Sequence, residues 1–421
     1  MNVLLDVNIL GRGFAAEATR TGIFRATEGL VQALLLRSDL SLSFAAEASW
    51  VSELQLLAYD RERAGRLAGR IRRAWHQPGA ADSEGAALIA RILAEESQGR
   101  DARKIRASLM LLNAGARRSI LPGAYDVVHS MRTPLPAGSR VSARMRALTV
   151  HDVIPLLHPE WMYQGAEPEV RAIVSSLDVE RDFVVANSET TAGDVAELLG
   201  MSRERIFVTP LAAAADVFHG GEPAGRIDQV RARYGIPGGR YVLSLCTLEP
   251  RKNLPHLIRA FFRLVDQEKL PELHLVLVGP TGWKAEDLFA TLEQRPDLRT
   301  RIRLTGFVPD EDLAALYAGA QVFAYPSLYE GFGLPVLEAM QCGTPVVTSN
   351  TSSLPEVAGD AAVSVSPGDG DALCEALRRV ITDDAWAAEL RRRGLARARL
   401  FSWDRTADLT VQAYRRMLAM Q

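Results

Sequence analysis

Residues 325–359, YPSLYEGFGLPVLEAMQCGTPVVTSNTSSLPEVAG, constrain the fold more tightly than any other stretch of the chain. The apolar run that leads into them, Ala320–Tyr325, reads as a buried strand. It empties into a Ser/Glu/Gly loop ending at Leu334-Pro335, and proline is favoured at the first position of a helix. A strand, a glycine loop and a helix N-terminus in succession gather free backbone N–H groups and the positive end of a dipole at one spot. The glycines let a ligand come close to that backbone. Two acids frame the loop, Glu330 within it and Glu338 one turn into the helix, with seven residues between them. A carboxylate beside a diphosphate is repelled, so both acids are expected to accept hydrogen bonds from hydroxyls. The predicted ligand is a nucleotide carrying a polyhydroxylated cargo.

The pattern of Glu330 and Glu338 around Gly331-Phe332-Gly333-Leu334-Pro335 is followed by Gly343-Thr344-Pro345-Val346-Val347 and Leu354-Pro355-Glu356-Val357. Together these resemble the retaining nucleotide-sugar glycosyltransferases of family four. The resemblance implies an α/β chain with the GT-B fold: two Rossmann-like parallel-sheet domains facing a cleft, and a C-terminal helix crossing back to the first domain. The expected division is an acceptor-binding domain at 1–220, a nucleotide-sugar-binding domain at 221–400 and a crossover helix at 401–421.

The remaining composition is compatible with that division. The 421 residues suffice for two or three domains with substantial cores, and 48% hydrophobic with 24% charged residues is ordinary for a globular chain. Forty-nine basic residues against 51 acidic ones leave a net charge of −2, so no global field points to nucleic acid and an anionic ligand has to be held locally. Cys246, Cys342 and Cys374 stand far apart with no CxxC, which argues against a metal site or a disulfide framework and for a reducing cytoplasm. MNVLLDVNIL reads as a first strand and not as a signal peptide, and no apolar run of 18 residues is present.

Along the first half, Gly11-Arg12-Gly13-Phe14-Ala15-Ala16 matches G-x-G-x-x-A after a strand. A dinucleotide fingerprint would open its helix at once, whereas the helical period here starts after Gly22, so Gly11–Gly22 is expected to be a loop. Gly22-Ile23-Phe24-Arg25 resembles the Gly-Ile-Gly-Arg element that faces the cleft in the family, with Phe24 in place of a glycine. The arginines at 61, 63, 66, 70, 72 and 73, followed by Trp75, suggest a basic helix. Such a helix could be a solvated face or a peripheral contact with an anionic membrane that presents a lipid-linked acceptor. Tyr125–His129 and Ala147–Val150 read as buried strands whose carboxyl ends carry His129-Ser130 and His151-Asp152, the end where ligands sit in open α/β sheets. By resemblance, His151 and Asp152 lie beneath the transferred sugar. Ser188 is expected to cap a helix through the residue at 191.

In the second half, Arg251-Lys252 follow the strand Tyr241–Leu245 and precede a helix, a placement that suits neutralisation of a diphosphate and matches an Arg-Lys element of the family. The resemblance places the nucleobase against the backbone of Phe307 and Val308. Asp310-Glu311-Asp312 is literally Asp-x-Asp, but Asp310 is expected to cap a helix and not to hold metal.

The expected activity is transfer of a hexose from a sugar nucleotide, with a GDP-sugar such as GDP-mannose leading because TLEPRKN and VHDVIP are similar to mannosyltransferases that build bacterial surface polysaccharides. The acceptor is a saccharide or a lipid-linked oligosaccharide. Arg251, Lys252 and the amides of Phe332, Gly333 and Leu334, beside Gly331, would stabilise the departing diphosphate; Glu330 would orient the sugar and Glu338 the ribose. No cofactor and no metal are expected, and the configuration at the anomeric carbon is retained by resemblance. The competing readings are a noncatalytic sugar-nucleotide binder and an NAD-linked oxidoreductase built on Gly11–Ala16.

Overall fold

The computed structural model describes residues 1–15, 22–47, 49–62, 65–67, 69–76, 117–118, 120–270 and 272–420. Strands β1 (Asn2–Asp6), β2 (Ser41–Ala45), β5 (Ala124–Ser130), β6 (Ser142–Val150), β7 (Phe183–Ala186) and β8 (Ile206–Val208) form one sheet in the order β2-β1-β5-β6-β7-β8. A short antiparallel pair, β3 (Trp75–His76) and β4 (Arg117–Arg118), stands apart from it. The second sheet comprises β9 (Arg240–Leu245), β10 (Leu273–Val278), β11 (Ile302–Gly306), β12 (Val322–Tyr325), β13 (Val346–Ser349) and β14 (Val363–Val365), in the order β11-β10-β9-β12-β13-β14. Every pairing within the two six-stranded sheets is parallel. Such sheets are covered on both faces, and β7 and β12 are accordingly buried at every position.

The order of the second sheet fixes where a ligand can enter. β9 pairs with β10 on one side and β12 on the other, Val242 opposite Val322 and Leu243 opposite Phe323. The direction of winding reverses between β9 and β12, so their carboxyl ends splay apart and leave a crevice. The loops after β9 and after β12 are the ones that carry Arg251-Lys252 and Glu330.

The helix Trp403–Ala419 crosses from the second domain to the first. It starts at Ser402, whose hydroxyl accepts from the Arg405 N–H, and buries Ala407, Val411, Ala413, Tyr414 and Met417 in the first domain's core with Leu30, Val31 and Leu34 of the helix Gly22–Leu35. Gly29 makes this approach possible, since a Cβ there would lie 2.2 Å from the Trp403 ring.

Three local expectations are corrected. Gly11 and Gly13 lie in the helix Asn8–Ala15, not in a loop. Each is pressed by a neighbour: a Cβ on Gly11 would lie 2.5 Å from the Leu56 backbone nitrogen and one on Gly13 would lie 2.1 Å from the Phe24 ring, so no pyrophosphate fits over them. The arginine-rich stretch is not one helix. The helix Trp50–Glu62 ends there, Gly65 and Gly69 take positive φ, and the chain turns back so that Ile71 bridges Phe44. Arg63 lies outside the described residues, while Arg73 pairs with buried Glu53 and Arg66 with Glu28. The third correction concerns Asp310, which is the first residue of its helix and not its cap. Pro309 occupies the cap position, and the Asp310 carboxylate takes the Arg25 guanidinium. No helix among the described residues is long and apolar enough to cross a membrane.

Candidate active site

A cleft of about 1010 Å³ separates the two sheets and is lined by His151, Asp152, Arg251, Lys252, Phe307, Val308, Glu330, Gly331, Phe332, Gly333, Leu334 and Glu338. The residues predicted from sequence therefore converge, although several are not as free as expected. After β9 the chain makes a short turn, Pro250–Lys252, and stops at Asn253, which adopts φ 57° and donates through Nδ2 to the carbonyls of Pro326 (3.1 Å) and Pro367 (2.8 Å). Asparagine tolerates that left-handed conformation better than most residues. The turn thus fastens the loop after β9 to the loop after β12 and aims two cations into the crevice.

Lys252 is 8% exposed and its ammonium donates to Glu330 (2.6 Å) and to the Tyr325 hydroxyl (2.7 Å). Arg251 reaches the other Glu330 oxygen (2.6 Å), the Glu249 carboxylate (2.6 Å) and the Tyr329 carbonyl (2.8 Å). Burial pushes the Glu330 carboxyl up, but Arg251 and then Lys252 outweigh it and bring it down to about 2. Glu330 is thus a permanent anion with both oxygens committed to cations. Sequence reasoning missed Glu249, 6% exposed, whose only signal is its place in the same Leu-Glu-Pro-Arg-Lys loop.

The glycine loop is held by its carbonyls. Ser353 donates to the carbonyls of Glu330 and Phe332 (both 2.8 Å), Ser188 to that of Gly331 (2.7 Å) and Thr351 to that of Leu328 (3.1 Å). Among the described residues no acceptor engages the N–H groups of Gly331, Phe332 and Gly333, which stand at the start of the helix Leu334–Gln341. Free N–H groups at a helix start are the geometry that favours an anion. Two glycines are required by geometry. Gly333 has φ 110°, and a Cβ on Gly331 would lie 2.3 Å from the His151 carbonyl, so the loop touches the first domain directly.

Glu338 is 2% exposed and holds Arg25 Nη1 (3.1 Å) and the Tyr317 hydroxyl (2.9 Å). Burial raises its carboxyl more than Arg25 and Tyr317 lower it. Arg25 comes from the Gly-Ile-Phe-Arg element, so that element does reach the cleft, while Phe24 turns into the first domain's core, 2% exposed. A second contact between domains was not legible either. The Glu356 carboxylate accepts from the N–H of Glu189 (2.7 Å) and from the N–H (2.8 Å) and hydroxyl (2.6 Å) of Thr190, covering the start of the helix Glu189–Leu199 beside the expected Ser188 cap. Asp312, fully buried, pairs with Arg226 and Arg233 and accepts from Tyr234. Both aspartates of the Asp-x-Asp stretch are thus held by arginines, and among the described residues no three His, Cys, Asp or Glu side chains come together as a metal set.

His151 forms the cleft wall at the end of β6. Its Nε2 donates to the Met131 carbonyl (3.1 Å), while its own carbonyl accepts from Asn187 Nδ2 (2.9 Å), a partner the sequence did not reveal. Burial, then the positive charge of Arg132, bring the imidazole down to about 4, so at neutral pH it is uncharged and Nδ1 is an acceptor. Asp152 accepts from the Ile154 N–H (3.2 Å). His129 is not a site residue. It is fully buried between Tyr414 (2.6 Å) and Thr149 (2.7 Å), and burial brings it down to about 3.

These two imidazoles make stability pH-dependent. Unfolded, both take a proton near pH 6.5; folded, neither does until about pH 4 and about pH 3, so stability is lost as pH falls below about 6.5. Asp6 works in the opposite direction, because burial raises its carboxyl to about 6 against the Thr133 hydrogen bond, and the folded state gains when it is protonated. Two histidines outweigh one aspartate. Urea unfolding should find the protein roughly 2 kcal/mol less stable at pH 5 than at pH 7, and His129→Gln should shrink that gap. Equal stability at the two pH values would contradict the buried neutral imidazoles.

Two facing parallel-sheet domains, a cleft at the switch point of the second sheet and an amide-lined helix start beside paired cations define a glycosyltransferase of the GT-B class. The chain belongs to the group 1 glycosyl transferases. Residues 227–399 match that family's model, Glycosyl transferases group 1. The chain is 38% identical over 270 residues to the O-antigen chain mannosyltransferase B of Escherichia coli, an alignment covering 63% of this chain and 69% of that protein. It is 35% identical over 273 residues to the serotype-specific mannosyltransferase WbdA of Escherichia coli, covering 64% of this chain but only 33% of that longer protein. Among solved structures, the sucrose-phosphate synthase of Thermosynechococcus elongatus aligns over 100% of both chains with a TM-score of 0.63 at 20% identity. Anabaena HepE in complex with UDP and glucose aligns over 98% of each chain with a TM-score of 0.63 at 18% identity. These similarities give the fold.

Proposed function

We propose that the protein transfers mannose from GDP-mannose to a saccharide or lipid-linked acceptor during assembly of a surface polysaccharide, with retention of configuration and without a metal ion. The observation that carries this reading is the buried cluster of Arg251, Lys252 and Glu330 in the same cleft as the free amides of Gly331–Gly333. The mannosyltransferase names of the relatives support the choice of sugar.

The anomeric carbon loses its bond to the diphosphate oxygen, which keeps the electron pair. Arg251, Lys252 and the amides at the helix start meet that growing charge as donors already in place, an arrangement worth several kcal/mol. The acceptor oxygen then bonds to the same face of the sugar and its proton passes to the departing diphosphate. Glu330 is a poor candidate for a covalent nucleophile, because both its oxygens are engaged by cations. Its part is to fix Lys252 and Arg251 and to accept from a sugar hydroxyl with its remaining lone pairs. Glu338 similarly has capacity left for the ribose, and the base would lie against Phe307 and Val308, which line the cleft.

The test is binding followed by product analysis. With chelator present, GDP and GDP-mannose should raise the melting temperature, and proton NMR of the first product should show an α-linkage. Stabilisation by UDP-sugars alone would overturn the donor, and activity lost to chelator would overturn the metal-free mechanism. Binding of the donor without transfer to any acceptor would favour a noncatalytic binder.

A further inference from the structure

At the mouth of the cleft two loops, one from each domain, are latched together. The Trp283 indole N–H donates to the Trp161 carbonyl (2.7 Å), and the Lys284 ammonium donates to the Glu160 carbonyl (2.5 Å). The latch sets the rings of Tyr163 and Trp283 against each other, 5.0 Å apart with their planes at 70°. Both side chains line the cleft, and Tyr163 nevertheless stays 41% exposed. Its hydroxyl is fixed, donating to one Glu169 oxygen (2.9 Å), while the other Glu169 oxygen takes Arg132 Nη2 (3.1 Å). Arg132 lines the same wall and lies close enough to His151 to lower its imidazole.

An open aromatic pair, immobilised by hydrogen bonds and flanked by a forked donor, has the chemistry of a sugar subsite. A pyranose offers one apolar C–H face, which packs on rings, and a rim of hydroxyls, which need directed polar partners. Gly282, next to Trp283, packs on Thr247 and Leu248 of the loop that carries Arg251 and Lys252, so the platform borders the proposed diphosphate site, where an acceptor has to form its bond. Arg132 is neutralised by Glu169, which disfavours an anionic ligand and suits an uncharged one.

We propose that Tyr163 and Trp283 form the stacking platform for the terminal, uncharged pyranose of the acceptor, that Arg132 donates to its hydroxyls, and that Glu169 is the positioning residue holding Arg132 and Tyr163 in place. The assignment rests on the transferase reading and adds to it the place and charge of the acceptor.

The acceptor probes are p-nitrophenyl α-mannoside and its 6-phosphate, with GDP-mannose saturating. The neutral probe should be preferred, and Tyr163→Ala should raise its KM about tenfold, while Tyr163→Phe raises it far less because the ring remains. Glu169→Gln should fall between the two. Calorimetric Kd for GDP-mannose without acceptor should be unmoved by Tyr163→Ala, a separation that a merely structural role would not produce. If the wild type binds no sugar nucleotide, the transferase reading fails and the platform with it. If it binds GDP-mannose but ignores the neutral probe, prefers the phosphorylated one, shows an unchanged KM in Tyr163→Ala, or loses donor affinity in parallel, the platform alone is overturned.

Discussion

Replacing Lys252 by alanine is expected to lower kcat by roughly 10²- to 10³-fold, the usual cost of removing one preorganised group from a developing oxyanion. The ammonium sits at a buried position between Glu330 and Tyr325, so its charge is spent on the crevice and not on bulk water. Donor affinity should weaken less than kcat, because the charge on the departing oxygen grows only as the bond breaks. Removing Lys252 also leaves Glu330 with Arg251 alone, so the variant has to be assayed well below its melting temperature. Lys252→Arg should recover little, since the longer planar fork cannot occupy the place of a point charge held by a carboxylate and a phenol. A kcat within threefold of wild type in Lys252→Ala would remove the electrostatic account of the reaction.

Arg25→Ala should produce the largest loss of stability, about 3 kcal/mol by the behaviour of buried ion pairs broken on one side. Arg25 crosses from the first domain to hold Glu338 and Asp310 and lies over the Phe218 ring. Without it the buried Glu338 carboxylate keeps, among the described residues, the Tyr317 hydroxyl. The sign of the pH dependence follows. Glu338 is already raised above its ordinary value by burial, so it contributes instability as pH rises through its folded pKa, and the variant raises it further. The difference between variant and wild type should therefore be smaller at pH 5 than at pH 8 in urea unfolding. A difference that grows toward acid pH would mean that Glu338 is not the group left exposed to the change.

Those two residues illustrate what a sequence can disclose. Lys252 was legible because strand, turn and helix are adjacent in the chain, and the order β9-β12 brings its loop to Glu330 as any sheet with that winding would. The glycine loop was legible for the same reason, since Gly333 needs positive φ and Pro335 stands in the first turn of its helix. Arg25 and Glu338 are 313 residues apart, and nothing local marks them as partners. Glu356 belongs to the Leu-Pro-Glu-Val motif, yet its carboxylate serves a helix in the other domain. The Gly11–Ala15 stretch misled because glycine signals either a turn or a close approach, and here Leu56 and Phe24 make it the latter. The arginine-rich stretch misled through charge counting, although Gly65 and Gly69 were available as breakers.

The helix Trp403–Ala419 is encoded after every strand of the second domain, yet it completes the core of the first. On the ribosome, the leading domain therefore emerges with the apolar face of Leu30, Val31 and Leu34 bare, and that face stays open while the trailing domain is synthesised. Folding cannot finish in the order of translation. The nascent chain carries a sticky surface for most of its synthesis, which makes early encounters with chaperones, or with neighbouring nascent chains, a built-in feature of how this protein is made.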